Sequence, residues 1–154
     1  MVFPEIATLV PHAKPMLLLD RVLAADEESL CAEVIIREDS LFFSHEAGGV
    51  GAWVGVEYMA QAVAAYAGYK ALQEKGQVKI GFLLGTRRYE CHGSVFTAGS
   101  VLRVYVRCLL QADNGLGSFE CTIEEGAQTR LASATINAFQ PDDLTTFLGS
   151  NSHE

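Results

Sequence analysis

Positive charge is scarce in this 154-residue chain: 11 Lys and Arg stand against 19 Asp and Glu, a formal net charge of −8. Nonspecific nucleic-acid binding rests on neutralising phosphates, so a chain this acidic is a poor candidate for it. Proline is scarce too, at four residues, and the 14 glycines form no collagen-like or linker-like run. The four cysteines, Cys31, Cys91, Cys108 and Cys121, include no C-x-x-C pair. That removes zinc-ribbon and thioredoxin-type readings and leaves reduced thiols, as expected in a cytoplasmic protein. No H-x-x-x-H or carboxylate cluster has metal-ligand spacing, so no metal is expected. A nucleophile elbow, a Gly-rich phosphate loop and a dinucleotide fingerprint are also missing. The opening Met1-Val-Phe-Pro-Glu-Ile6 lacks the basic start and apolar run of a signal peptide.

What is present is globular: 49% of residues are apolar and 19% charged. The length fits one domain, read as residues 1–140, with a polar tail at 141–154. Pro4 to Leu9 reads as a short helix, Pro11 to Pro15 as an extended turn, and Met16 to Ala24 as a strand. Leu30 to Arg37 returns as a strand with Cys31, Glu33, Ile35 and Arg37 on one face. Ser40 to Gly51 reads as a loop. Gly51 to about Glu74 is the one long helical segment, apolar on nearly every side and therefore expected to be enclosed on nearly every side. Its Glu57 and Gln61, and its many Ala and Gly residues, argue against a membrane span. Gly76 is the expected C-cap.

Beyond the helix the period becomes two. Ile80 to Tyr89, Val101 to Gln111, Leu116 to Ile123 and Thr129 to Phe139 read as strands, with a hairpin signal at Asp113-Asn-Gly115. On the run from Val101 to Gln111, Leu102, Val104, Val106, Cys108 and Leu110 share one face. An α+β fold, an antiparallel sheet wrapped around one long central helix, accounts for every segment.

Glu57 stands out because a carboxylate inside an apolar helix is costly unless paired or neutral. Gln61 lies one turn later on the same side. His45 sits in the loop that feeds the helix, and the helix start offers backbone N–H groups at Gly51 to Val54. A base, an acid and an oxyanion site around one helix start suit proton abstraction beside a thioester carbonyl, followed by loss of a β-hydroxyl. The blander readings are a loop histidine bonded to backbone and a carboxylate bonded to strand N–H groups. His12 between prolines, His92 beside Gly93 and His153 in the tail are weaker candidates.

Three stretches resemble the β-hydroxyacyl-acyl-carrier-protein dehydratases of the hot-dog fold. Leu9-Val-Pro-His-Ala-Lys-Pro-Met-Leu-Leu-Leu-Asp-Arg-Val22 resembles the family's opening P-H-x-x-P-F-L-L-V-D-R-V. Phe42-Phe-Ser-His-Glu-Ala-Gly48 with Val56-Glu-Tyr-Met-Ala-Gln-Ala62 resembles its catalytic loop and helix. Ile80-Gly-Phe-Leu-Leu-Gly85 with Thr97-Ala-Gly-Ser-Val-Leu102 resembles its F-L-x-G strand and P-G-D-x-L turn. The wording around Val56 to Gly68 is most similar to the branch found in aryl-polyene clusters.

The resemblance implies a homodimer, or a dimer with a homologous dehydratase, with active sites at the subunit interface. It implies His45 as the catalytic histidine, Glu57 from the other subunit as its acidic partner, and an oxyanion N–H at Gly51 or Ala52. It implies no cofactor beyond the phosphopantetheine arm of acyl carrier protein that carries the substrate. His45-Glu46-Ala47-Gly48 replaces the family's H-F-P-G, and Gly51-Ala52 replaces its Pro-Gly.

The leading expectation is thus a 3-hydroxyacyl thioester dehydratase in which His45 takes the C2 proton and Glu57 donates to the departing hydroxyl. For Glu57 to do so near neutral pH its pKa must rise by roughly two to three units, which full burial can supply. A hot-dog thioesterase, with Glu57 directing water, is the second reading. A catalytically impaired partner subunit is the third, motivated by the altered loop. Docking an acidic carrier protein needs a basic patch, for which Lys70, Lys75, Lys79, Arg87 and Arg88 are candidates.

Overall fold

The computed structural model describes residues 3, 5–9, 17–74, 82–112, 115–127 and 129–139. A short helix α1 (Ile6–Leu9) precedes strands β1 (Arg21–Ala25) and β2 (Ser29–Ile35). Two very short strands follow, β3 (Phe43–Ser44) and β4 (Gly49–Gly51), then a 3-10 turn (Ala52–Val54) that runs straight into α2 (Gly55–Gln73). The rest is β5 (Phe82–Cys91), β6 (Val95–Thr97), β7 (Val101–Gln111), β8 (Leu116–Glu125) and β9 (Thr129–Phe139). Six strands form one antiparallel sheet in the order β1-β2-β7-β8-β9-β5, and β3-β4-β6 form a small second sheet.

Period-two patterning explains the large sheet. Leu102, Val104 and Val106 on β7, Cys121 and Ile123 on β8, and Ala132 and Ile136 on β9 are all buried against one another and α2. Each large aliphatic side chain so enclosed contributes about 1.5–3 kcal/mol. From α2, Tyr58, Met59, Ala62, Ala65 and Tyr66 complete this core.

Four differences from the sequence expectation have physical causes. The stretch read as a loop from Ser40 to Gly51 holds β3 and β4, and β6 was not foreseen; strands of two or three residues carry no readable period. The strand expected from Met16 begins only at Arg21. On β7 the expected face breaks after Cys108, where the register against β8 slips, and Leu110 emerges 62% exposed. Finally, α2 is not enclosed all round: Val56, Glu57, Ala60, Ala64 and Ala67 form a half-buried stripe. One sheet covers one side of the helix, and among the described residues the short α1 meets another.

The turn after Pro11, Gly76, the Asp113-Asn114 part of the hairpin signal and the tail 141–154 lie outside the described residues.

Candidate active site

The entrance to α2 is held from several directions. Gly51, the last residue of β4, pairs with Val95 of β6. Next to it, the Ala52 N–H donates to the Ser94 carbonyl (2.9 Å). The Ala52 carbonyl accepts from the Gly55 N–H and from the Tyr89 hydroxyl, the latter at 2.5 Å. Both polar groups of Ala52 are therefore occupied, and its N–H is withdrawn from the set of oxyanion donors that the sequence proposes.

Gly51 is different. The Ala52–Ser94 and Gly48–Ala98 bonds mark alternate hydrogen-bonded rungs of the β4–β6 ladder. Antiparallel alternation then turns the Gly51 N–H away from β6. It points to the side where β3, paired only with Gly49 and Val50, has already ended. Trp53 and Val54 lie in the first turn of the helical segment, where backbone N–H groups have no intrahelical acceptor.

Glu57 occupies the first turn of α2 and is half-buried rather than enclosed. Gln61, 0% exposed, is oriented by the Leu18 N–H, which donates to its Oε1 at 2.8 Å. That fixes its Nε2 toward Glu57, and it donates to Glu57 Oε1 at 3.2 Å. The opening motif and the helix motif thus meet at this amide.

His45 sits exposed in the tight turn between β3 and β4. Ser44 builds that turn: its Oγ accepts the Ala47 N–H (3.1 Å) and its carbonyl accepts the Gly48 N–H (2.9 Å). Gly48 has φ +74°, which glycine adopts at little cost. The imidazole lies edge-on to Phe43, ring centroids 5.1 Å apart. Within the protomer no hydrogen bond joins His45 to Glu57 among the described residues. Nearby, Trp53, 68% exposed, stacks edge-on with Phe42, 43% exposed, centroids 5.3 Å apart, and its indole lies over Gly51.

Of the other candidates, His92 is exposed beyond β5, and His12, His153, Lys75 and Lys79 lie outside the described residues. Lys70 falls in the last turn of α2, while Arg87 and Arg88 are exposed on β5. Among the described residues no group of three or more His, Cys, Asp and Glu could hold a metal ion, and no helix is long and apolar enough to cross a membrane.

Sequence reasoning missed three supports. Asp20 accepts the Ile35 N–H (2.7 Å) and pairs with Arg37 (2.9 Å). Arg21 pairs across strands with buried Glu33 (2.9 Å). Tyr89 reaches the helix entrance.

Known proteins share this architecture. A chain of the dehydratase heterocomplex ApeI:P from Xenorhabdus doucetiae matches with a TM-score of 0.89 and 29% identity over 98% of this chain and 99% of that one. A hypothetical thioesterase from Streptococcus pneumoniae TIGR4, solved with coenzyme A, matches at TM-score 0.60 and 12% identity, covering 78% and 86%. The E. coli PaaI protein of the phenylacetic acid degradation operon matches at 0.61 and 11%, covering 77% and 80%. The last two show the hot-dog fold alone. No curated protein matched the sequence. The ApeP-like dehydratase family model matches residues 4–149, nearly the whole chain, and the protein belongs to that family.

Proposed function

We propose that the chain dehydrates a 3-hydroxyacyl thioester carried on acyl carrier protein, giving the trans-2-enoyl thioester in fatty-acid or polyene-type biosynthesis. The observation that carries the reading is the Gln61 bridge. It holds a carboxyl group at the first turn of the core helix, beside the backbone donors of the helix entrance. Membership of a dehydratase family supports it.

In this mechanism the Gly51 and Trp53 N–H groups at the helix entrance polarise the thioester carbonyl and acidify C2. His45 takes the C2 proton, and the electron pair forms the C2–C3 double bond. The Glu57 carboxyl gives a proton to the C3 hydroxyl, which leaves as water. Gln61 keeps that carboxyl in place. Glu57 is half-buried in the protomer, and His45 makes no bond to it. We therefore place the complete site between two hot-dog chains, His45 from one and Glu57 from the other. The second chain is a copy of this one or a homologous dehydratase, and the ApeI:P match is itself a heterocomplex. No cofactor takes part, and the assembly works in the cytoplasm.

The test is incubation of the purified chain, alone and with a homologous dehydratase, with a 3-hydroxyacyl thioester. Enoyl thioester is followed by absorbance and free thiol by a thiol reagent. Enoyl product supports the reading; free thiol without enoyl product replaces it with a thioesterase. Turnover only in the mixture identifies a chain that needs its homologue. Exposed Arg87 and Arg88 are the proposed contact for the acidic carrier protein. Reversing both charges should weaken its binding in a salt-sensitive way, and an unchanged Kd removes them from that role.

A further inference from the structure

We propose that Tyr89 is a positioning residue of this dehydratase reaction. Its hydroxyl holds the Ala52 carbonyl and thereby sets the direction of the Trp53 N–H at the helix entrance. The inference rests on the reading above and adds a residue from the far edge of the large sheet.

The geometry begins with a parity change in β5. Arg87 pairs with Thr135 and Glu90 with Ser133, so three steps on β5 face two on β9. One residue is extra, and Arg88 has φ +55°, a conformation that a non-glycine residue adopts only when its surroundings impose it. Thr86, opposite buried Ile136, belongs to the inner face. Regular alternation would send Arg88 and Glu90 inward after it. The bulge instead leaves both charges exposed and turns Tyr89 and Cys91 onto the core.

A second feature accommodates the phenol. A Cβ on Gly55 would lie 2.1 Å from the Tyr89 hydroxyl oxygen. Glycine at the first position of a long helix is unfavourable on propensity, and here it vacates the volume that the hydroxyl fills. Burial raises the Tyr89 phenol well above its ordinary pKa, so it stays a donor at every physiological pH.

The consequence follows from peptide planarity. The Ala52 carbonyl shares its peptide plane with the Trp53 N–H, and in a trans peptide the two point in opposite directions. Fixing the carbonyl from one side fixes the N–H on the other. Ser94 fixes the preceding peptide through the Ala52 N–H. The Trp53 N–H is thereby held in one direction at the helix entrance, which is the preorganisation that an oxyanion donor requires, while the Gly51 N–H belongs to the Val50 peptide that the β4–β6 ladder holds.

The experiment compares wild type, Tyr89→Phe, Gly55→Ala and the double variant on a 3-hydroxyoctanoyl N-acetylcysteamine thioester, in the assembly that turns over. Tyr89→Phe should lower kcat by about 10- to 100-fold with KM changed by less than about threefold. The shape of its pH profile should match wild type, because His45 and Glu57 are untouched. Gly55→Ala should lower kcat similarly by displacing the hydroxyl, and should add no further loss in the double variant. Trp53 is the single tryptophan, so its fluorescence reports the turn directly; Tyr89→Phe should shift its emission in the unliganded protein. Wild-type kcat and emission in Tyr89→Phe, with His45→Ala inactive, overturn the role of Tyr89 alone. A His45→Ala variant as active as wild type, or a wild type without turnover, overturns the dehydratase reading as well.

Discussion

Gln61 donates from Nε2 to Glu57 Oε1 across 3.2 Å, one helical turn along α2. The orientation of the amide is not arbitrary, because its oxygen must face the Leu18 N–H at 2.8 Å. A residue of the N-terminal stretch thereby determines which group Glu57 meets. Glu57 accepts from a donor on its own helix.

Gln61→Leu removes the bonds to Leu18 and Glu57 and leaves the half-buried Leu18 N–H without its acceptor. We expect a loss of about 1–3 kcal/mol in unfolding free energy, read from urea denaturation, together with lost turnover. Gln61→Glu keeps an acceptor for Leu18 but sets a second acid beside Glu57. Most of its stability should remain while kcat falls. Equal turnover in Gln61→Glu and wild type would separate Gln61 from the reaction.

His45→Ala and Glu57→Gln should each reduce dehydration by about 10²- to 10⁴-fold, the usual cost of losing acid–base help. Neither should shift Tm much, since His45 is exposed in its turn and Glu57 is half-buried. If function requires two chains, mixing the two inactive variants should restore part of the turnover, because some sites then combine an intact His45 with an intact Glu57. Mixtures as inactive as their components would contradict the shared site.

Asp20 serves architecture. Asp20→Ala removes the acceptor of the Ile35 N–H and the partner of Arg37, and should cost about 1–3 kcal/mol of stability. At temperatures where the variant is folded, kcat should remain near wild type. A large kcat loss in a fully folded variant would assign Asp20 to the site instead.

Burial pushes the Cys31 thiol up to about 11 and the Cys121 thiol up to about 12. Both stay protonated and unreactive at pH 8, so iodoacetamide should label them only on unfolding. The sign of the linkage is fixed: a thiol raised in the folded state contributes fully below its unfolded value of about 9, and that contribution is lost as pH rises toward 11–12. Stability should fall above pH 9 with a slope approaching about 1.4 kcal/mol per pH unit for each such group. A flat dependence between pH 9 and 11 would show that these thiols ionise in the folded protein as they do in water.

Much of the fold is legible in the residues. β7 and β9 carry long, regular alternation, and the sequence boundaries of both agree with the structure. The one long helix announces itself by length and by Ala-rich composition. The small β3-β4-β6 sheet does not, because its pairing energy comes from partners distant in sequence rather than from a local period. The site divides in the same way. Glu57, Gln61 and His45 are visible as polar groups in unexpected places. That Ala52 gives its N–H to Ser94, or that Tyr89 reaches the helix entrance, depends on tertiary ladders and a bulge that no short window contains.

The most direct measurement is intact-protein mass spectrometry of a 3-hydroxyacyl carrier protein incubated with the purified wild-type chain, and in parallel with His45→Ala and Glu57→Gln, each alone and with a homologous dehydratase present. The account predicts loss of one water from the acyl carrier protein with wild type and little or none with either variant. Unloaded carrier protein in place of the dehydrated species, or equal water loss in all three samples, would contradict it.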